Sequence, residues 1–335
     1  MRSLILALAA IAVAALVTAC GGTSEDSAEA GSDGAKLTLV AYSTPREVYA
    51  QLTKDFAKTA DGEGVSFDES YAASGEQSRA VENGLKADVV AFSLAPDVTR
   101  LVDAGLVDET WPNDEWKGMV SNSVVVFAVR KGNPKGIKTW DDLTKEGVEV
   151  IEPNPFTSGG AQWNIMAAYG AQLKQGKTHE QAVEYLRELL KHVSVQDKSA
   201  REALQTFTGG KGDVLLAYEN EAILAQTKGE DLDYVVPDET ILIQNPVAVV
   251  NNSSNADKAE AFLEYIRSDD AQRVFGKAGY RPVSENVAGE FDYPKPPQLF
   301  TIDDLGGWAE VRERFFDREN GIMADIQREV GAALE

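Results

Sequence analysis

The sequence holds one cysteine, Cys20, in 335 residues. No disulfide can form within a single chain, and the folded part has no thiol for nucleophilic or redox work. Histidine is almost as scarce. His179 and His192 are the only two, they sit at the ends of one helical stretch, and both read as surface residues rather than ligands. No histidine-rich metal spacing, phosphate-binding P-loop or Gly-x-Ser-x-Gly elbow is present. Basic charge is also short, 32 Lys and Arg against 54 Asp and Glu, for a net charge of -22. So acidic a chain lacks the basic face that a nucleic-acid partner needs. A small anion stays open as a ligand, because neutral donors can line a buried site while salt screens distant surface charge. The acidic pairs Asp141-Asp142 and Asp303-Asp304 read as solvated helix caps, not as acid–base dyads.

Long apolar runs are missing too, with one exception. Leu4 to Val17 is rich in Ala, Leu, Ile and Val, follows Arg2, and gives way quickly to polar residues. It is short for a membrane span and fits the apolar core of a signal peptide. Val17-Thr18-Ala19-Cys20 then looks like a lipobox. The expectation is a signal peptide over 1–19 and a lipidated Cys20 that anchors the chain to the outer face of a membrane without spanning it. Residues 20–35 are Gly-, Ser- and acid-rich with no apolar periodicity, which suits a flexible tether.

From Lys36 on, short β-branched runs alternate with helical patterns. Strands are expected at Leu37–Val40, Ala87–Phe92, Ser123–Val129 and Val148–Ile151. Helices are expected at Glu47–Thr59, Ala182–Leu190 and Ala256–Arg267. The alternation predicts an α/β fold with largely parallel sheets. The strand-like runs Ser123–Val129 and Ile241–Val250 lie far apart in sequence, and both are candidates to cross between two lobes.

Three segments share one design of strand, small-residue loop and helix start. They are Val65–Tyr71 into Ala73-Ser74-Gly75-Glu76-Gln77, Val148–Ile151 into Pro153-Asn154-Pro155-Phe156-Thr157-Ser158-Gly159-Gly160, and Val193–Val195 into Ser199-Ala200-Arg201-Glu202. Ser74 with Gln77, and Ser199 with Glu202, have the spacing of capping boxes. Ser158-Gly159-Gly160 has no box, and its glycines leave main-chain N–H groups bare. The first N–H groups of a helix have no intrahelical partner and lie at the positive end of its dipole. Several such starts brought together would hold a small oxyanion with neutral donors alone. Capping is the simpler role for any one of them. Trp163 and Trp308 read as core or interface aromatics.

These segments, with Ala41-Tyr42-Ser43-Thr44-Pro45-Arg46-Glu47, Ala87-Asp88-Val89-Val90, Val129-Arg130-Lys131-Gly132-Asn133-Pro134-Lys135, Ala161-Gln162-Trp163-Asn164, Gly212–Glu221 and Leu299-Phe300-Thr301-Ile302-Asp303, carry a resemblance. Over nearly its full length the folded chain resembles the periplasmic sulfate-binding proteins of ABC importers. The resemblance implies a two-lobed, type 2 periplasmic-binding-protein fold that closes over one dehydrated sulfate. Residues 36–122 and 248–335 would form one lobe and 123–247 the other. It implies a binding protein rather than an enzyme, an extracytoplasmic location, membrane permease subunits as partners, and no cofactor or metal.

By the same resemblance Ser74 would donate its N–H and hydroxyl to sulfate. Ser158, Gly159 and Gly160 would donate successive N–H groups, and Ala200 another. Arg201 would brace the loop. Tyr218 stands where the family has a tryptophan donor, and its hydroxyl can both donate and accept. Ser43 replaces the family's usual aspartate and could add a hydroxyl. Thiosulfate, molybdate or phosphate are alternative ligands. A carboxylate-based hydrolase is disfavoured, because the matched segments put glycine, serine and alanine at the ligand.

Overall fold

The computed structural model describes residues 34–334. The expected signal peptide, Cys20 and nearly all of the tether lie outside the described residues. In chain order the elements are β1 (Lys36–Tyr42), α1 (Arg46–Phe56), β2 (Ser66–Ala72), α2 (Ser74–Glu82), β3 (Val89–Ala91), α3 (Ala95–Asp103), β4 (Met119–Arg130), β5 (Val150–Ile151), α4 (Gly159–Lys174), α5 (His179–Lys191), β6 (Val193–Val195), α6 (Ala200–Thr208), β7 (Val214–Tyr218), α7 (Glu219–Thr227), β8 (Leu232–Val235), β9 (Glu239–Val249), α8 (Ala256–Arg267), α9 (Asp269–Lys277), β10 (Arg281–Pro282), α10 (Glu285–Ala288), β11 (Gln298–Phe300), α11 (Gly307–Phe316) and α12 (Ile322–Val330). Among the described residues no helix is long and apolar enough to cross a membrane.

The strands follow from burial on both faces. Val89, Val90 and Ala91 have no exposed surface, as a continuous apolar run in a covered sheet requires. The main path of the sheet runs β2-β1-β3-β9-β4-β7-β5-β6. Its two ends are parallel: β1 with β2 and β3, and β5 with β6 and β7. Its centre is antiparallel, unlike the largely parallel sheet expected, because β9 runs against both β3 and β4, and β4 against β7. The reason is topological. β4 carries the chain from one parallel end toward the other and β9 carries it back, so they must point in opposite directions. Ser123 faces Ile243 and Val124 faces Leu242 in that pairing.

Four apolar clusters fill the space around the sheet. Two are built from β1, β3, α1, α3, α8 and α9 with the start of β4 and the end of β9. The other two are built around β4, β7, α4, α5 and α6. Phe300, Val311, Phe315 and Ile326, near the C-terminus, bury their side chains in the α4–α5 cluster, alongside Val125 and Trp163.

One member of each acidic pair bonds a main-chain N–H at a short helix start, and Asp142 does so while buried rather than solvated. The Asp142 carboxylate accepts from the Thr139 N–H at 2.8 Å, and that of Asp304 from the Thr301 N–H at 2.7 Å. Both histidines are half-buried. The Tyr169 hydroxyl lies 2.9 Å from His179 Nδ1, and the carbonyl of Val148 lies 3.1 Å from His192 Nδ1.

Candidate functional site

The starts of α2, α4 and α6 meet at one small cavity. It is lined by Tyr42, Ser43, Thr44, Ala73, Ser74, Ser93, Ser158, Gly159, Gly160, Ser199, Ala200 and Tyr218. All of the residues expected to contact ligand are there, and none of the lining residues is charged. Arg201 lies just outside, on α6.

Close approach of the helices is tight enough to demand glycine. A β-carbon on Gly159 would fall 2.9 Å from Leu94 Cγ, Ser93 Cβ and Ser93 Oγ. One on Gly160 would fall 3.3 Å from Ala200 Cβ and 3.5 Å from a ring carbon of Tyr218. The Gly-Gly pair thus lets α4 meet both the loop after β3 and the start of α6.

Four N–H groups are left for a ligand. Ser74, Gly159, Gly160 and Ala200 occupy the first two positions of their helices. Such positions have no intrahelical acceptor, and among the described residues these four donate to no other protein group. Two details differ from the roles implied by resemblance. The Ser158 N–H donates to the Asn154 carbonyl at 2.9 Å, while its hydroxyl caps α4 by accepting from Ala161 N–H at 3.3 Å. The Ser74 hydroxyl donates to Asp97 at 2.7 Å and accepts from the Ser93 N–H at 2.9 Å. Ser74 therefore does not form the expected capping box. Ser74 is the first residue of the helix and the N-cap is Ala73, which has no side chain able to cap, and Gln77 instead donates to the Ser70 hydroxyl at 2.9 Å. Ser199 does cap α6, accepting from Glu202 N–H at 3.2 Å.

Ser93 was missed by the sequence reading. Its hydroxyl pairs with that of Tyr218 at 2.6 Å. Its carbonyl accepts from the Trp163 indole at 2.9 Å and from the Asn245 amide at 3.2 Å. Trp163 packs edge-on against Trp308, centroids 4.7 Å apart. Tyr42 was also missed. Its hydroxyl is buried and has no partner among the described residues. The only signals were a serine two residues after a buried strand and a tyrosine closing another. Burial pushes the Tyr42 and Tyr218 hydroxyls well up, so both stay protonated and neutral at neutral pH.

Charge surrounds the cavity without entering it. Arg201 donates to the Thr44 carbonyl at 2.8 Å, to Glu47 at 2.9 Å and to Glu221 at 3.0 Å. It thereby ties the loop after β1 to α6 and α7. Burial pushes the Glu47 carboxyl up, but bonds from Arg201 and Lys228 outweigh it and bring its pKa to about 2. The fully buried Glu221 is pushed up by burial, with Arg201 pulling it down. Behind Ser74, burial raises Asp97, opposed by the Ser74 bond and by Arg100, Arg312 and Arg79. Among the described residues no cluster of His, Cys, Asp and Glu could hold a metal.

A cavity without charged lining, met by several helix starts at the ends of an open α/β sheet, has the character of a small-anion site, and the fold around it is the type 2 fold of the periplasmic binding proteins. The profile of the family described as "Bacterial extracellular solute-binding protein" matches residues 37–281. A sulfate-binding protein of Synechococcus elongatus is 42% identical over 96% of this chain and 95% of its own. A thiosulfate-binding protein of Pseudomonas aeruginosa is 35% identical over 84% of this chain and 89% of its own. Among solved structures, the sulfate-binding protein SubI from Mycobacterium tuberculosis superposes with a TM-score of 0.82 at 43% identity, over 84% of this chain and 100% of SubI. The chain belongs to the sulfate-binding proteins within the bacterial extracellular solute-binding family, which places it outside the cytoplasm.

Proposed function

We propose that this chain captures sulfate outside the cytoplasm and delivers it to the membrane permease of an ABC importer, without catalysing a reaction. The observation that carries the reading is the convergence of four unpartnered N–H groups, from Ser74, Gly159, Gly160 and Ala200, on one cavity without charged lining. Tyr42, Tyr218 and Ser43 supply hydroxyls, Ser158 fixes the start of α4, and Arg201 braces the loop after β1.

Magnitudes support this set. A hydrogen bond to a charged group contributes roughly 1.5–3 kcal/mol, and micromolar affinity needs about 8 kcal/mol net. About half a dozen such donors can therefore offset the cost of drying a dianion. Sulfate is fully deprotonated at neutral pH. Hydrogen phosphate would turn its remaining proton toward donors, which penalises it.

The two lobes are part of the proposal, with β4 and β9 as the strands that cross between them. The bounds expected from sequence, 36–122 with 248–335 against 123–247, are kept except at the C-terminal end, where the core shared by Phe300, Val311, Phe315 and Ile326 with Val125 and Trp163 favours moving those helices to the lobe of the middle segment. Lobe closure over sulfate would signal occupancy to the permease. Lipidation at Cys20 would keep the protein beside that permease.

Isothermal titration of the mature chain tests the reading. Micromolar or tighter sulfate binding is expected, with phosphate at least tenfold weaker. Comparable phosphate binding would overturn the donor-only account. Thiosulfate is the second ligand to titrate, given the 35% identical thiosulfate-binding relative, and tighter thiosulfate than sulfate binding would move the assignment to it.

A further inference from the structure

A second cavity, larger than the first, adjoins it and shares Gly159 with it. Its character is the opposite. Arg79 from α2, Arg100 from α3, Arg312 from α11 and Arg318 from the turn after α11 all line it, with Asp97 as the only acid in the lining.

These guanidinium groups are poorly compensated for a chain of net charge -22. Among the described residues Arg79, Arg312 and Arg318 have no carboxylate within 4.0 Å, and Arg100 reaches only Glu82, at 3.8 Å. Elsewhere Arg201, Arg267, Arg273 and Arg281 each hold a carboxylate at 3.0 Å or less. Arg312 and Arg318 have instead long contacts of 3.4 Å to the Pro96 and Phe156 carbonyls. Arg100 Nε is buried with no partner. Asp97 is fully enclosed and already accepts the Ser74 hydroxyl, so one carboxylate faces four cations. Glu76 and Asp103 act on Arg79 and Arg312 only at longer range. Burial, and then the crowding of Arg318 and Arg100, push the Arg79 guanidinium down from its usual range.

The opposite side of the inner cavity shows what compensation looks like. There Glu47 sits between Arg201 and Lys228. On the arginine side the complementary anion is missing from the chain's own described residues.

We propose that this outer cavity is a second anion site, built for a small, multiply charged oxyanion of the polyphosphate or polycarboxylate class. Planar guanidinium forks match such groups two bonds at a time. The larger volume and the net positive lining separate its ligand from the compact dianion of the neutral inner site. Because the cations come from α2 and α3 on one side and from α11 and its following turn on the other, a bound anion joins these two parts across the inner cavity's rim. The proposal goes beyond sulfate capture and does not need sulfate to be the inner ligand.

The test titrates pyrophosphate, and separately citrate, into the full chain with the inner site held by sulfate at about ten times its Kd. Saturable binding of either probe at one per chain is expected, weakened at least tenfold in Arg79→Gln and in Arg318→Gln. Sulfate affinity, read in the same samples, is expected to change less than threefold, so a failed inner site and a failed outer site give different results. Arg318 is exposed, so its variant remains a folded probe if Arg79→Gln is destabilised. Absence of saturable binding of both probes to the wild type, or binding undiminished in Arg318→Gln, would overturn the proposal.

Discussion

The hydroxyls of Ser93 and Tyr218 meet at 2.6 Å although 125 positions separate them. The bond joins the loop after β3 to the end of β7, and it does so at the cavity wall. Both groups are buried, so the hydrogen bond is formed away from water. A net value of about 0.5–1.5 kcal/mol follows for such a pair. Ser93→Ala and Tyr218→Phe should each destabilise the protein, because each leaves a buried hydroxyl unpaired. The double variant should cost less than the sum of the two by about 1 kcal/mol. Denaturant unfolding of the four proteins measures this directly, and strict additivity would show that the contact carries no energy.

Gly159 gives a sharper test of the site itself. Its missing side chain is what allows α4 to reach Ser93 and Leu94, since a β-carbon would fall 2.9 Å from three of their atoms. Gly159→Ala forces that contact apart, at a cost typical of overpacking, about 1–3 kcal/mol. If the contact forms on closure, the cost falls on the ligand-bound state. Sulfate affinity should then drop by about five- to 150-fold, while the unfolding midpoint without sulfate moves little. Calorimetry beside thermal unfolding separates the two. An unchanged sulfate affinity would remove Gly159 from the site.

Local signals were legible in the sequence, and contacts between distant segments were not. Ala256–Arg267 was readable as a helix because its apolar spacing is regular, and α8 has those bounds. Ser158-Gly159-Gly160 was readable as a bare helix start because glycine exposes main-chain donors by its own chemistry. Ser74 misled, since its spacing to Gln77 fits a capping box. Asp97, 23 residues onward, takes its hydroxyl instead, and nothing near Ser74 announces that. Ser93 and Tyr42 stayed hidden for the same reason, because their importance lies in partners or a cavity that only the assembled sheet provides. The antiparallel centre depends on which way β4 and β9 run, which periodicity does not encode. The four arginines come together from positions 79, 100, 312 and 318, with no local pattern linking them.

Glu47 offers the remaining prediction, and here the sign of the pH effect is fixed. Burial raises its carboxyl, and the stronger pull of Arg201 and Lys228 lowers it to about 2. A depressed carboxylate adds stability above its unfolded pKa, and that stability is lost as pH falls toward the folded value. Arg201 links Glu47 and the Thr44 carbonyl, beside the inner cavity, to Glu221 on α7. If this tie forms on closure, its loss appears as weaker sulfate binding. The Glu47 side chain is 35% exposed, so solvent screening limits the effect to the ~0.2–1 kcal/mol of a partly exposed pair, or up to about fivefold in Kd. Wild-type affinity should hold level from pH 8 down to about 5, then fall as the pH drops below the usual glutamate range of about 4.3. Glu47→Gln should bind sulfate more weakly at pH 7 and lose that acid-side decline. Titrations of both proteins at pH 7, 4 and 3 decide the matter: equal affinities at pH 7, or parallel profiles below pH 5, would mean that the ion pair plays no part in holding the closed form.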